Sequence, residues 1–410
     1  MRLHKAFLFL LLAGAFSFST GCSGCNGGGS GDPNKILIVS SLPRTGSAQK
    51  QTDSIVNGIK MAIEEYNGKV GDFNIEYLDW DDATAAAGEW TAEAENANAQ
   101  NAAQNNDVMV YIGPYNSGAA KISMPILNQA GLLMISPACT WPGLTKPNVT
   151  ADEPDCYRPA KTINFLRVVP TDDVQGPVGA RFIKDDLKAK KVFILDDTQL
   201  YGKGVANLFE KGCKEIGLEV LGRESINVQS QEFAGLLARV KESKPDAIYF
   251  GGTSQTKAGQ IAKDMIKVGL TCPIVCPDGC YEKAFIESAG AEALNGRAYV
   301  TFGGKDPSKL EGVGKEFVEK YQKKYGVRPE AYAVYGYESA KAALHAIEKA
   351  GKKDRSAILE AAKAIKDFEK GAVGKWSFDE NGDTTQQIFT ISKVENGDFK
   401  PVKEVNAAAK

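Results

Sequence analysis

From residue 36 onward, short apolar runs alternate with longer helix-patterned stretches for most of the chain. A strand that feeds a helix and then a parallel strand needs a sheet covered on both faces, so the alternation confines the chain to the α/β class. The first series reads as strand 36–41, helix 53–66, strand 74–80, an alanine-rich helix over 83–104 and strand 108–113. After a loop over 141–159, residues 165–169 read as a strand that changes neighbourhood. A second series runs from helix 175–187 through strands 191–196, 219–226, 247–250 and 273–276, with helices between them. Long helices return at 308–325, 331–349 and 355–366, and 374–398 reads as short strands with turns at 380–383 and 395–398. Two series of similar length predict two parallel-sheet lobes, with a cleft lined by the strand-end loops of both.

One strand–helix–strand unit carries the chemistry. Strand 108–113 breaks into Pro114-Tyr115-Asn116-Ser117-Gly118, and strand 131–136 breaks into Pro137-Ala138-Cys139-Thr140. Ser117 opens a helix, so its hydroxyl and the free N–H groups behind it can hold an anion such as a carboxylate. Thr140 adds a hydroxyl, and the backbone at Ala138 adds a donor and an acceptor. Together they suit a group that is negative at one end and cationic beside it, such as an α-amino acid. An ordinary helix cap and strand-end turn would use the same residues.

Composition narrows the function classes. The 410 residues carry a formal charge of −2, and no domain-sized basic patch exists to hold a nucleic acid. An exported enzyme is the weakest reading. The chain has no Gly-x-Ser-x-Gly elbow, phosphate loop or nicotinamide fingerprint, and its two histidines are His4 and His345. No cofactor is called for. Cys272, Cys276 and Cys280 are spaced wider than zinc knuckles, so metal is disfavoured there. Asp79, Asp81 and Asp82 read as a charge cluster at a helix start, and Asp196 and Asp197 as residues that orient loops beside the cleft.

Arg2, Lys5 and the apolar core 6–16, followed by Gly21-Cys22, make a targeting segment. It resembles a bacterial lipoprotein signal over 1–22 with lipidation at Cys22, although Ser19 stands where that motif has leucine. Residues 23–34 would be a Gly/Ser tether. The alternative is a plain secretory signal. Either way the chain is exported, to the periplasm or cell surface, and touches membrane only through the anchor. Export permits disulfides, and Cys139 with Cys156 would close the loop between them.

Five ordered stretches, 112–117, 133–140, 171–176, 201–204 and 378–383, resemble the branched-chain amino-acid class of periplasmic solute-binding proteins of ABC transporters. The resemblance implies the type I fold: two doubly wound lobes joined by a three-crossing hinge. Lobe one would be 35–158 plus 303–376, and lobe two 159–302 plus 377–410. It implies a monomer that captures an amino acid and delivers it to an ABC permease, or presents it to a receptor. By position, Ser117, Ala138 and Thr140, with Cys139 between them, would hold the ligand carboxylate and part of its ammonium. Tyr201 would close over the ligand from lobe two, and Asp278 stands where the family has a glutamate for the ammonium. Gln51 and Thr253 fall where aromatic residues often line the side-chain pocket, and Trp141 would fill part of the space. These departures argue against a purely aliphatic ligand and make a polar, larger or aromatic amino acid at least an equal candidate.

Overall fold

The computed structural model describes residues 32–408. The signal over 1–22, Cys22 and the tether up to residue 31 lie outside the described residues. No described helix is long and apolar enough to cross a membrane.

The first sheet contains β1 (Lys35–Leu42), β2 (Lys69–Val70), β3 (Phe73–Asp81), β4 (Val108–Ile112), β5 (Leu133–Ser136) and β6 (Phe165–Arg167), in the order β2-β3-β1-β4-β5-β6. Only the short β2 runs antiparallel to its neighbour. β1 is apolar without a polar alternation because both of its faces are covered. Ile36 and Ile38 pack with Ile55 and Ile59 of helix α1 (Gln49–Glu65). Leu37 and Val39 point the other way, towards Ala99 of α2 (Ala92–Gln104) and Met124 of α3 (Ser117–Gln129).

The second sheet contains β7 (Lys191–Asp196), β8 (Glu219–Ser225), β9 (Ala247–Gly251), β10 (Ile274–Cys276), β11 (Ala298–Gly303), β12 (Ile388–Glu395) and β13 (Asp398–Asn406), ordered β13-β12-β11-β10-β9-β7-β8. Its strands divide in the same way. Val192 and Ile194 face Phe209 of α5 (Leu200–Ile216), which follows α4 (Asp172–Arg181). Phe193 and Leu195 face the opposite side, with Ile261 and Met265. β12 and β13 form an antiparallel hairpin on the edge, turned by Asn396 and Gly397, both at positive φ.

The sheets form two lobes of the type I periplasmic-binding fold, and the chain passes between them at 168–171, 304–312 and 379–387. The break expected at 158 falls later. β6 pairs in parallel with β5, so residues 165–167 complete the first sheet before the chain crosses. The helix expected from residue 83 starts at Ala92 instead. Residues 83–90 close a small turn through an Ala83–Trp90 bridge, and Thr91 caps the helix by accepting the N–H of Ala94 at 3.2 Å.

Candidate functional site

The site lies where the carboxyl ends of both sheets face each other. At the end of β4, Gly113 has φ +134°, and a Cβ there would meet Ser41 O at 2.5 Å. Glycine is therefore required for the turn that brings Ser117 to the start of α3. At the end of β5, Ser136 Oγ donates to Pro114 O at 2.8 Å and accepts the N–H groups of Ala138 and Cys139 at 3.2 and 2.9 Å. Ser117 Oγ accepts the Trp141 N–H at 3.3 Å, so the two strand-end loops are tied together.

From the second sheet, Asp278 stands just past β10 and is 3 % exposed. Its Oδ1 accepts from Tyr201 OH and Gln175 Nε2, each at 2.6 Å, and its Oδ2 accepts from Tyr332 OH. Tyr332 belongs to the first lobe, where its N–H bonds Gln51 Oε1 at 3.1 Å. The Asp278–Tyr332 bond therefore joins the lobes, and the structure is closed. Burial pushes the Asp278 carboxyl up, against the pull of the Tyr201, Tyr332 and Gln175 donors. Gln175 Nε2 also reaches Asp172 Oδ1 at 2.8 Å, and burial followed by the charge of Asp278 raises Asp172 well above the ordinary range.

Ser117, Ala138, Tyr201, Thr253 and Asp278 all line one narrow cavity of about 20 Å³, with Tyr115, Asn116, Gly279 and Tyr332. A larger cavity of about 330 Å³ lies elsewhere; on its wall Lys283 pairs with Asp398 and Asp306 accepts from Tyr281, while Arg328 and Glu330 also line it. The other expected residues take supporting places. Thr140 Oγ1 is buried without a hydrogen-bond partner. Gln51 does not line the cavity; its Nε2 donates to Tyr281 O at 3.1 Å and clasps the lobes. The Trp141 ring lies in the first-lobe core and packs on Gly204 of α5, where a Cβ would come within 2.4 Å of it.

Cys139 turns away from the cleft. Its Sγ donates to Pro114 O at 3.2 Å, and burial pushes its thiol up to about 12. The Cys139–Cys156 disulfide does not form here: Cys139 is buried in the core, Cys156 is exposed, and both are free thiols.

Tyr115, Asn116, Gln175, Gly279 and Tyr332 were not singled out from the sequence. Tyr115 and Asn116 sit inside the turn that ends in Ser117, and Gln175 inside the 171–176 stretch, so a local signal existed for them. Tyr332 precedes the helix Ala333–Ala350, far from any strand end, and only the return of the chain to the first lobe brings it to Asp278.

Two covered sheets joined by three crossings, with polar strand-end loops meeting across a cleft, define a two-lobed binding protein. Residues 35–398 match the family model described as periplasmic binding protein, and the chain belongs to that family. It is 28% identical over 363 residues to a Leu/Ile/Val-binding protein of Rhizobium johnstonii, covering 88% of this chain and 92% of that one. Among solved structures, a leucine-binding protein of Thermotoga maritima superposes with a TM-score of 0.81 at 28% identity, covering 92% of this chain and 100% of that one. A branched-chain amino-acid transporter substrate-binding protein of Streptococcus pneumoniae, in complex with isoleucine, gives 0.79 at 25% identity, covering 90% and 99%.

Proposed function

We propose that this chain is an extracytoplasmic solute-binding protein that captures an α-amino acid between its lobes and hands it to an ABC permease. One observation carries the reading: Asp278 stands across a closed cleft from the N-terminus of α3, with hydroxyl donors from both lobes already on its oxygens. An ammonium is a stronger donor than a phenol and would take the place of Tyr201 and Tyr332 on Asp278. The ligand carboxylate would meet Ser117 and the free N–H groups of α3. The lobes must part to admit it, because about 20 Å³ holds little more than a water molecule. Closure then excludes water and strengthens each charged contact. The relatives named above, which by name or bound ligand take leucine, isoleucine or valine, support the same class. The apolar core 6–16 before Gly21-Cys22 supports a lipid anchor at Cys22, which mass analysis of the membrane-extracted protein would show.

The test is calorimetric titration of the purified body with the common amino acids. At least one should bind, and Asp278→Asn should weaken it by about 10- to 100-fold, the loss of a charge-assisted pair. Binding of aromatic acids or amides only, with no amino acid, would overturn the zwitterion reading.

A further inference from the structure

Asn116 is the N-cap of α3. Asparagine suits that position because its side-chain oxygen can accept an N–H of the first turn. Thr91 and Asp354 cap their helices in this way, accepting the N–H groups of Ala94 at 3.2 Å and Ala357 at 2.8 Å. Asn116 does not. Its backbone has the extended geometry of a cap, with φ −88° and ψ 133°, but its side chain makes no capping bond. The residue is only 9 % exposed, its Oδ1 is buried without a hydrogen-bond partner, and it lines the cleft cavity between Tyr115 and Ser117. A buried amide oxygen is costly to leave without a donor.

Its neighbours on the wall are already occupied. Thr253 Oγ1 accepts the Thr256 N–H at 3.2 Å, and its methyl is turned towards Gly279. Tyr201 OH donates to Asp278 and accepts the Gly279 N–H at 3.0 Å, and Tyr332 OH donates to Asp278. Among the described residues, Asn116 Oδ1 is the one buried side-chain polar atom of this wall without a partner. An α-amino acid seated as above uses the rest of the wall first. Its carboxylate takes Ser117 and the N–H groups that the uncapped helix leaves free. The three N–H bonds of its ammonium are met by the two Asp278 oxygens and the Ala138 carbonyl. Nothing on the ligand backbone is left for Asn116.

We propose that Asn116 sets ligand choice: its Oδ1 accepts a hydrogen bond from the side chain of the bound amino acid, and so selects a side chain with an N–H or O–H donor over an apolar one of the same shape. The proposal rests on the amino-acid reading above. A ligand that leaves a buried acceptor unpaired is rejected far more strongly than one that merely lacks a methylene.

The full chain is titrated calorimetrically with the common amino acids, compared as near-isosteric pairs: threonine with valine, asparagine with leucine, glutamine with methionine, tyrosine with phenylalanine. At least one donor-bearing member should bind about tenfold or more tightly than its partner, and no apolar amino acid should bind more tightly than it. Asn116→Leu should weaken that ligand by about 10- to 100-fold and bring the pair within about threefold. The variant removes no capping bond, so α3 should still form. If circular dichroism shows otherwise, the pair preferences of the unaltered chain decide alone. An apolar amino acid as the tightest ligand overturns the proposal and leaves the amino-acid reading standing. So does a preference that survives Asn116→Leu, or a variant that weakens both members of a pair alike, which would put Asn116 on the ammonium. Binding of no amino acid overturns both.

Discussion

At the scale of single residues, Gln175 organises the acidic side of the cleft. Its amide nitrogen serves Asp172 and Asp278, and its oxygen accepts from Thr301 Oγ1 at 2.8 Å and the Asp278 N–H at 3.1 Å. Gln175→Leu leaves those buried groups unpaired, so it should cost about 2–3 kcal/mol in a denaturant titration. A second buried acid pair sits apart from the cleft. Asp82 is fully buried with neither oxygen bonded, and burial together with Glu95 and Asp81 raises its carboxyl well above the ordinary range. Burial pushes Glu95 from 4.5 to about 7, although Ser41 and Tyr111 donate to it. With folded pKa values above the unfolded ones, the native state binds more protons, so stability falls as pH rises from about 4.5 through 7. Asp82→Asn should therefore raise the melting temperature at pH 8 by more than at pH 5, by about 1–2 kcal/mol in stability, and flatten the profile between them. Equal effects at both pH values would show that the pair does not titrate. The sequence marked Asp82 as one of a charge cluster at a helix start. Its burial depends on the 83–90 turn and on Glu95 arriving from the next helix, and no local pattern encodes that.

At the scale of elements, the hinge is clasped by one buried ion pair. Arg167 at the end of β6 and Asp383 are both buried, with Nε–Oδ1 at 2.7 Å. The guanidinium Nη1 also donates to Cys139 O at 3.1 Å and Trp141 O at 2.7 Å, which fixes the loop that carries Thr140. Arg167→Ala strands a carboxylate and two carbonyls, so it should cost about 3–5 kcal/mol and appear as an early melting transition. A loss under about 1 kcal/mol would mean that water replaces the guanidinium freely. The 378–383 stretch was legible as a turn, and Asp379 Oδ1 does accept the N–H groups of Asn381 and Asp383 at 2.8 and 2.9 Å. That this turn meets β6 was not legible, because more than two hundred residues separate the partners.

At the scale of the whole molecule, closure depends on close approach between the lobes. Gly204 on α5 meets the Trp141 ring so closely that any side chain must collide. Gly204→Val lies on a helix that tolerates valine locally, so each lobe should still fold. The variant should be held open, with ligand affinity down by about tenfold or more and a larger radius of gyration by small-angle scattering in the presence of ligand. Unaltered compaction with ligand would place the closing contact elsewhere.

The sequence alone determined the α/β class, the two series of strands and the loops at their carboxyl ends, because periodicity and turn residues are local properties of the chain. It also located Ser117, Ala138, Tyr201, Thr253 and Asp278, which lie in or beside those loops. Only the tertiary structure decided what they face. Tyr332 reaches Asp278, Gln51 becomes a clasp, Cys139 turns into the core, and Glu282 is left buried without a partner. Each of these outcomes depends on where distant segments meet, and thus on packing and burial between residues that no local pattern relates.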